Sequence, residues 1–194
     1  MQSVRGWRNP ITLLVLMSVA MPLAFNTWSA LLNNFAVEKA AFTGVEIGIL
    51  QSLREVPGFL SFTVIFVLLI LKEQTFALLS LVLLGLGVAM TGFFPSEYGL
   101  YFTTVLMSIG FHYFEAIKQS LSLQWLSKDE APQILGRLIA VGSVTSLIVY
   151  GVLWVLLEVF AVSFIWNLAL AGGLCCSLAF FMWLNYPQFP PKTL

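Results

Sequence analysis

Uncharged apolar residues fill six long stretches of the chain, and polar residues gather between them. A helix needs about 20 residues to cross a hydrocarbon core of roughly 30 Å, so each stretch reads as a membrane-crossing helix. The predicted spans cover residues 10–31, 45–71, 74–94, 98–126, 135–157 and 162–186. Barrel strands are about ten residues of alternating polarity; these runs are far longer and apolar on all sides. The expected fold is therefore all-α, a polytopic membrane protein with six transmembrane helices. Residues 1–9 form a polar lead. Residues 187–194 are proline-rich and cannot continue a helix, so they read as a tail or the start of a linker.

The tryptophans and the basic residues orient these spans. Trp7, Trp28, Trp125, Trp154, Trp166 and Trp183 fall near predicted span ends, where the membrane interface favours them. Six crossings put both termini on one side, together with the second-to-third and fourth-to-fifth connections. That side carries Arg5, Arg8, Lys72, Lys128, Arg137 and Lys192, against Lys39 alone on the other. Such an excess marks the cytoplasmic face, so both termini are expected in the cytoplasm, of a bacterial inner (plasma) membrane. The apolar run after Arg8 is longer than the roughly 7–15 residues of a cleavable signal core. The first helix is expected to be retained.

Composition acts mainly by exclusion. Of 194 residues, 59% are hydrophobic and 9% charged, with mean hydropathy +0.94. Soluble domains carry roughly 25% charged residues, which excludes soluble, nucleic-acid-binding and disordered classes. Nine Lys and Arg balance nine Asp and Glu, so net charge names no partner beyond the lipid bilayer. Cys175 and Cys176 are adjacent, no Cys-x-x-Cys spacing occurs, and His112 is the only histidine. A metal site needs three or four ligands, so none is expected, and no cofactor is implied. No Gly-x-Ser-x-Gly, HExxH or Walker loop is present, which argues against an enzyme.

An internal echo is visible. Shifting the chain by 85 residues sets the second span on the fifth, with eight identities in the 22 positions from Ile49 to Ile70; the third and sixth spans match poorly at that offset. Thr43-Gly44-Val45-Glu46-Ile47-Gly48 opens the second span, and Gly136-Arg137-Leu138 followed by Gly142-Ser143 opens the fifth. In these segments the chain resembles the N-terminal six-helix half of a major facilitator superfamily transporter, over about residues 10–186. The resemblance implies a 3+3 inverted repeat and a cavity lined by helices one and four, flanked by two and five. It also implies a partner, either a second six-helix half or another copy of the chain. The connection Lys72-Glu73-Gln74 departs from the family's glycine, aspartate and basic-cluster signature, and the chain has half of the family's usual twelve helices.

Charge within a bilayer costs about 2.5–3.5 kcal/mol per group, so intramembrane charges are paired, hydrated or useful. Arg54 and Glu55 lie in the second span, ~25 Å from its Lys72 end at 1.5 Å per residue. Adjacent on a helix, they point about 100° apart, and at least one is expected to pair with another helix. The plainer reading makes both structural charges at a vestibule rim. In the fourth span, His112, Glu115 and Lys118 are spaced i, i+3, i+6, with Gln119 four beyond Glu115. This stripe should face the bundle interior, where Asn26 and Thr27 of the first span could join it. The alternatives are a local Glu115–Lys118 ion pair and a packing role for His112. Depths counted from the inner ends set Arg54 and Glu115 ~7.5 Å apart along the axis, which predicts an ion pair between them. Pro57-Gly58 is expected to loosen the second span, and Gly85, Gly87, Gly172 and Gly173 to permit close helix approach. The expected function is a secondary active transporter, or its N-terminal half, moving a small solute by alternating access. Arg54, Glu55, His112, Glu115, Lys118 and Asn26 are the candidate pathway residues, and Glu55 and Glu115 the candidate proton-coupling groups. The alternative is a non-transporting six-helix membrane scaffold or truncated remnant.

Overall fold

Asn9 starts the first helix. Its side chain accepts the Thr12 N–H at 2.9 Å, and Pro10 takes the first helical position, where its missing N–H is not needed. In the computed structural model, which describes residues 6–191, α1 (Pro10–Ala40) continues past residue 31 and stops at Ala41, in the left-handed region at φ 54°. A capping box between Thr43 and Glu46 then opens α2 (Gly44–Phe59). A 3₁₀ turn, Ser61–Thr63, separates α2 from the short α3 (Val64–Leu68). Next come α4 (Glu73–Thr91), α5 (Glu97–Trp125), α6 (Ala131–Trp154), which runs into a π-helical turn at Val155–Val159, and α7 (Phe164–Asn185). Every regular element among the described residues is helical. Arg5 and Lys192, counted in the charge asymmetry, lie outside the described residues.

Among the described residues four segments are long and apolar enough to cross a membrane: Pro10–Ala40, Glu73–Thr91, Ala131–Val159 and Phe164–Asn185. The other two predicted spans differ for separate reasons. The second is broken: Pro57 offers no N–H to the helix, and the chain leaves α-helical geometry soon after it. The fourth, α5, has the length, with 29 residues, but carries His112, Glu115 and Lys118.

Packing is organised around α4, which lies between α5 and α7; α1 packs on α6 and α7, and α2 packs on α5. Glycines make the close approaches. A Cβ on Gly87 would sit 2.5 Å from the Met107 nitrogen, and one on Gly172 would overlap the Gly85 carbonyl and reach 2.5 Å from the Ala89 nitrogen. Gly173 faces open space, so the expectation that it serves helix approach is corrected: one residue along a helix turns the face by 100°. Trp28 also corrects an expectation. Because α1 continues to Ala40, Trp28 is mid-helix, 0% exposed, with its indole N–H unpartnered. Trp154, Trp166 and Trp183 are exposed near helix ends.

The segment after α7 is strapped down by one buried amide. Gln74 donates from Nε2 to the Pro187 carbonyl at 2.9 Å and accepts the Phe189 N–H on Oε1 at 3.0 Å. Gln188 donates to Thr75 Oγ1 at 2.9 Å, and the Phe189 ring meets Trp125 edge-on at 5.7 Å. Gln74→Ala removes both clamp bonds and leaves two backbone groups to find new partners. It is expected to cost about 1–3 kcal/mol and to open the 187–191 segment to limited proteolysis, read by mass spectrometry of the fragments.

Candidate functional site

Two grooves meet at mid-height on α1 and α5. The larger, about 620 Å³, lies between α1, α5 and α6. Its polar lining consists of Ser18 and Asn26 from α1, Glu115, Lys118, Gln119 and Ser122 from α5, and Ser143 and Ser146 from α6. Met21, Phe25, Phe111, Leu138 and Ile139 supply much of the apolar wall. The smaller, about 120 Å³, lies between α1, α2 and α5, and holds Arg54, Glu55, Ser108 and His112. Phe25 and Phe111 line both. Their rings stack at 4.2 Å between centroids, 15° from parallel, and form a layer between the two sets of charges.

The larger groove keeps polar groups only partly satisfied. Lys118 Nζ approaches Glu115 Oε1 at 3.9 Å, an ion pair but too long for a hydrogen bond. That Glu115 oxygen is buried and makes no hydrogen bond. Lys118 also lies 5.8 Å from the Phe114 ring centre, a cation–π distance. Ser18 is 1% exposed, and its buried hydroxyl has no partner among the described residues. Asn26 spends its Nδ2 on Ser146 Oγ at 2.7 Å, which fixes α1 to α6 at the level of the aromatic layer. Ser146 in turn donates to the Gly142 carbonyl of its own helix. The site's net charge is zero, with one cation and one anion at a fixed spacing.

The predicted Arg54–Glu115 pair does not form. Arg54 turns to its own neighbour, donating from Nε and Nη2 to Glu55 Oε1 at 2.9 and 2.6 Å. The long arginine stem bends across the 100° between the two positions, so neither needs a partner on another helix. Depth explains the rest. The Arg54 carbonyl accepts the Ser108 hydroxyl, and Glu115 lies seven residues beyond Ser108, about 10.5 Å along α5. The second span is not a continuous α-helix: its three-residue 3₁₀ turn rises about 2.0 Å rather than 1.5 Å per residue and adds ~1.5 Å to the offset. Arg54 is thereby raised further from Glu115, with Phe111 and His112 between them.

The single polar stripe expected on the fourth span is also divided. His112 lies in the smaller groove, its imidazole against Gly58, where a Cβ would come 2.7 Å from Cε1. Glu115 and Lys118 lie in the larger groove with Asn26. Thr27 joins neither: it is buried and donates to the Leu23 carbonyl one turn back. Sequence reasoning missed the serine wall of α6 and the Phe25–Phe111 layer. The signal was present for Ser143, beside Gly142, and for Ser146, one of the repeat identities. Two phenylalanines among 17 carried none.

No family model matches the sequence, and the search of curated proteins returned no match. The structure has similar solved neighbours. One is the POT family transporter PepTSo, crystallised in meso, with TM-score 0.66 at 15% identity over 97% of this chain and 40% of the other. Another is an auto-inhibited POT family peptide transporter, with TM-score 0.63 at 12% identity over 95% of this chain and 39% of that one. The chain thus spans about two fifths of the length of these transporters. It has the helical fold of a transporter-like half, with the apolar segments of a multi-pass integral membrane protein.

Proposed function

We propose that the chain is the N-terminal six-span half of a major facilitator-like secondary transporter, and that the larger groove is its share of the solute site. The observation that carries this reading is the groove itself. Three helices of a transporter-like fold bring Asn26, Glu115, Lys118 and Ser143 to one open cavity of about 620 Å³, within the usual range of ligand sites. In this reading α2 and α3 together make the second span and α5 the fourth. Residues 10–186 form the transmembrane domain, flanked by a cytoplasmic lead (1–9) and a cytoplasmic tail or linker (187–194). The packing supports a 3+3 repeat. Exchanging spans one with four, two with five and three with six carries α1–α6 onto α5–α2 and α1–α7 onto α5–α4, and returns α4–α7 to itself. A second half, or a second copy, would cover the open side of the groove. Arg54, Glu55 and His112 form an outer station and Glu115 with Lys118 an inner one; Glu55 and Glu115 are the candidate proton carriers.

Alternating access is tested by thiol labelling in intact cells or oriented vesicles, after replacing Cys175 and Cys176 by serine. Ser143→Cys is expected to react with a membrane-impermeant reagent applied from either side, as the groove opens in turn. Ser127→Cys should react only from inside and Ser96→Cys only from outside. Reaction of Ser143→Cys from one side alone would favour the scaffold, and reaction of both loop positions from the same side would overturn the six-span topology.

A further inference from the structure

The transporter reading leaves the solute unnamed, and the inner station narrows it. Glu115 and Lys118 hold opposite charges 3.9 Å apart. Among the described residues Oε1 of Glu115 makes no hydrogen bond and Lys118 Nζ makes none, lying against that oxygen and the Phe114 ring. Oε1 itself is buried, but the Glu115 side chain is 43% and the Lys118 side chain 18% exposed, so the outer edge of the carboxylate and the ammonium N–H groups are open to a ligand.

The electrostatics select against a singly charged solute. A lone carboxylate in contact with Lys118 also lies within a few ångströms of Glu115, whose repulsion offsets a large part of the attraction. A lone ammonium meets the same opposition in reverse. A solute with both charges, laid antiparallel to the pair, is attracted at each end. The spacing then decides which zwitterion: charges 3.9 Å apart match an ammonium and a carboxylate on the same carbon. The termini of a peptide are separated by further backbone and would overshoot one partner or the other. The rest of the groove completes the fit, with Met21, Phe25, Phe111, Leu138 and Ile139 for an apolar side chain.

Resting on the transporter reading for the site's purpose, we infer that the α1–α5–α6 groove binds a free α-amino acid with an apolar side chain, its carboxylate on Lys118 and its ammonium on Glu115. Such a solute differs in size and charge spacing from a peptide, the cargo for which one structural neighbour is named.

The test uses the full chain in nanodiscs and radiolabelled L-leucine, with four unlabelled competitors: leucine, 3-methylbutylamine, 4-methylpentanoate and leucylglycine. Loss of one charged hydrogen bond is worth tenfold or more, so leucine is expected to compete at concentrations at least about tenfold lower than the amine, the acid or the dipeptide. Single substitutions should redirect this preference. Glu115→Gln should raise the affinity for 4-methylpentanoate, and Lys118→Gln that for 3-methylbutylamine, because each leaves one charge unopposed. A gain of affinity cannot come from misfolding. The inference is overturned if leucine does not bind, if either singly charged analogue or the dipeptide competes equally, or if the two variants keep the wild-type order. Failure of any of these leaves the Ser143→Cys labelling result untouched, so the two readings are judged separately.

Discussion

Gly172→Val is expected to prevent accumulation of a stable, monodisperse protein, while Gly173→Val, one position along, leaves it unchanged. At Gly172 a Cβ overlaps the Gly85 carbonyl, lies 2.5 Å from the Ala89 nitrogen and 2.8 Å from the Ala89 Cβ. Two of those three atoms are helix backbone, which cannot rotate away as a side-chain end can. Overpacking of an interior typically costs about 1–3 kcal/mol, occasionally more. Here α4 and α7 would have to separate along their shared face, so the effect should lie at or above the top of that range. At Gly173 nothing lies within 4 Å, and valine there meets lipid or solvent. Size-exclusion profiles and thermal midpoints of the two variants, compared in the same detergent, give the result. Equal stability would mean that the α4–α7 approach is looser than these distances imply.

Gly142→Leu should do the reverse, preserving the fold and abolishing function. Gly142 lines the larger groove, and the nearest atoms to a Cβ there are the Ser18 carbonyl at 3.7 Å and Pro22 Cγ at 3.8 Å, ordinary contacts. The rest of the leucine has only the groove to occupy. Replacing glycine within a helix also gains up to about 1 kcal/mol in helix propensity, so the thermal midpoint should hold or rise. Ligand binding should fall to background, and so should reagent access to Ser143→Cys. Retained binding in a stable Gly142→Leu protein would move the solute site away from this groove.

Much of the architecture was legible in the sequence because lipid imposes it. Apolar runs of span length had to be helices, and Pro57 marked where one would break. What was not legible depends on depth and azimuth. Arg54 and Glu115 looked like partners when every residue was given the same rise; the break in the second span and the stagger of the two helices part them, and Arg54 settles on Glu55 instead. His112 and Glu115 looked like one stripe, yet α5 faces a different neighbour on each side, and three residues along it lead from the α2 groove to the α6 groove. The α6 serines were quiet for another reason. Ser146 bonds back to its own helix, the usual habit of serine in a helix, and its second role, accepting from Asn26, appears only when α1 is in place. The clamp on the tail rested on Gln74, one amide directly after the charged pair Lys72-Glu73, whose two bonds reach residues more than a hundred positions away.

The stacked rings of Phe25 and Phe111 have an electrical meaning as well as a steric one. Polar and charged side chains line the grooves on either side of the pair, while the layer itself is hydrocarbon. In the transporter reading, with water in both grooves, a transmembrane voltage would fall largely across this layer. Carrying a full elementary charge across the field is worth about 2.3 kcal/mol per 100 mV. A solute or proton with net charge would do most of that work in passing the rings, and its movement would register as current. An amino-acid zwitterion would pass without doing any, so if transport is coupled to protons, the current that accompanies it would count the protons alone.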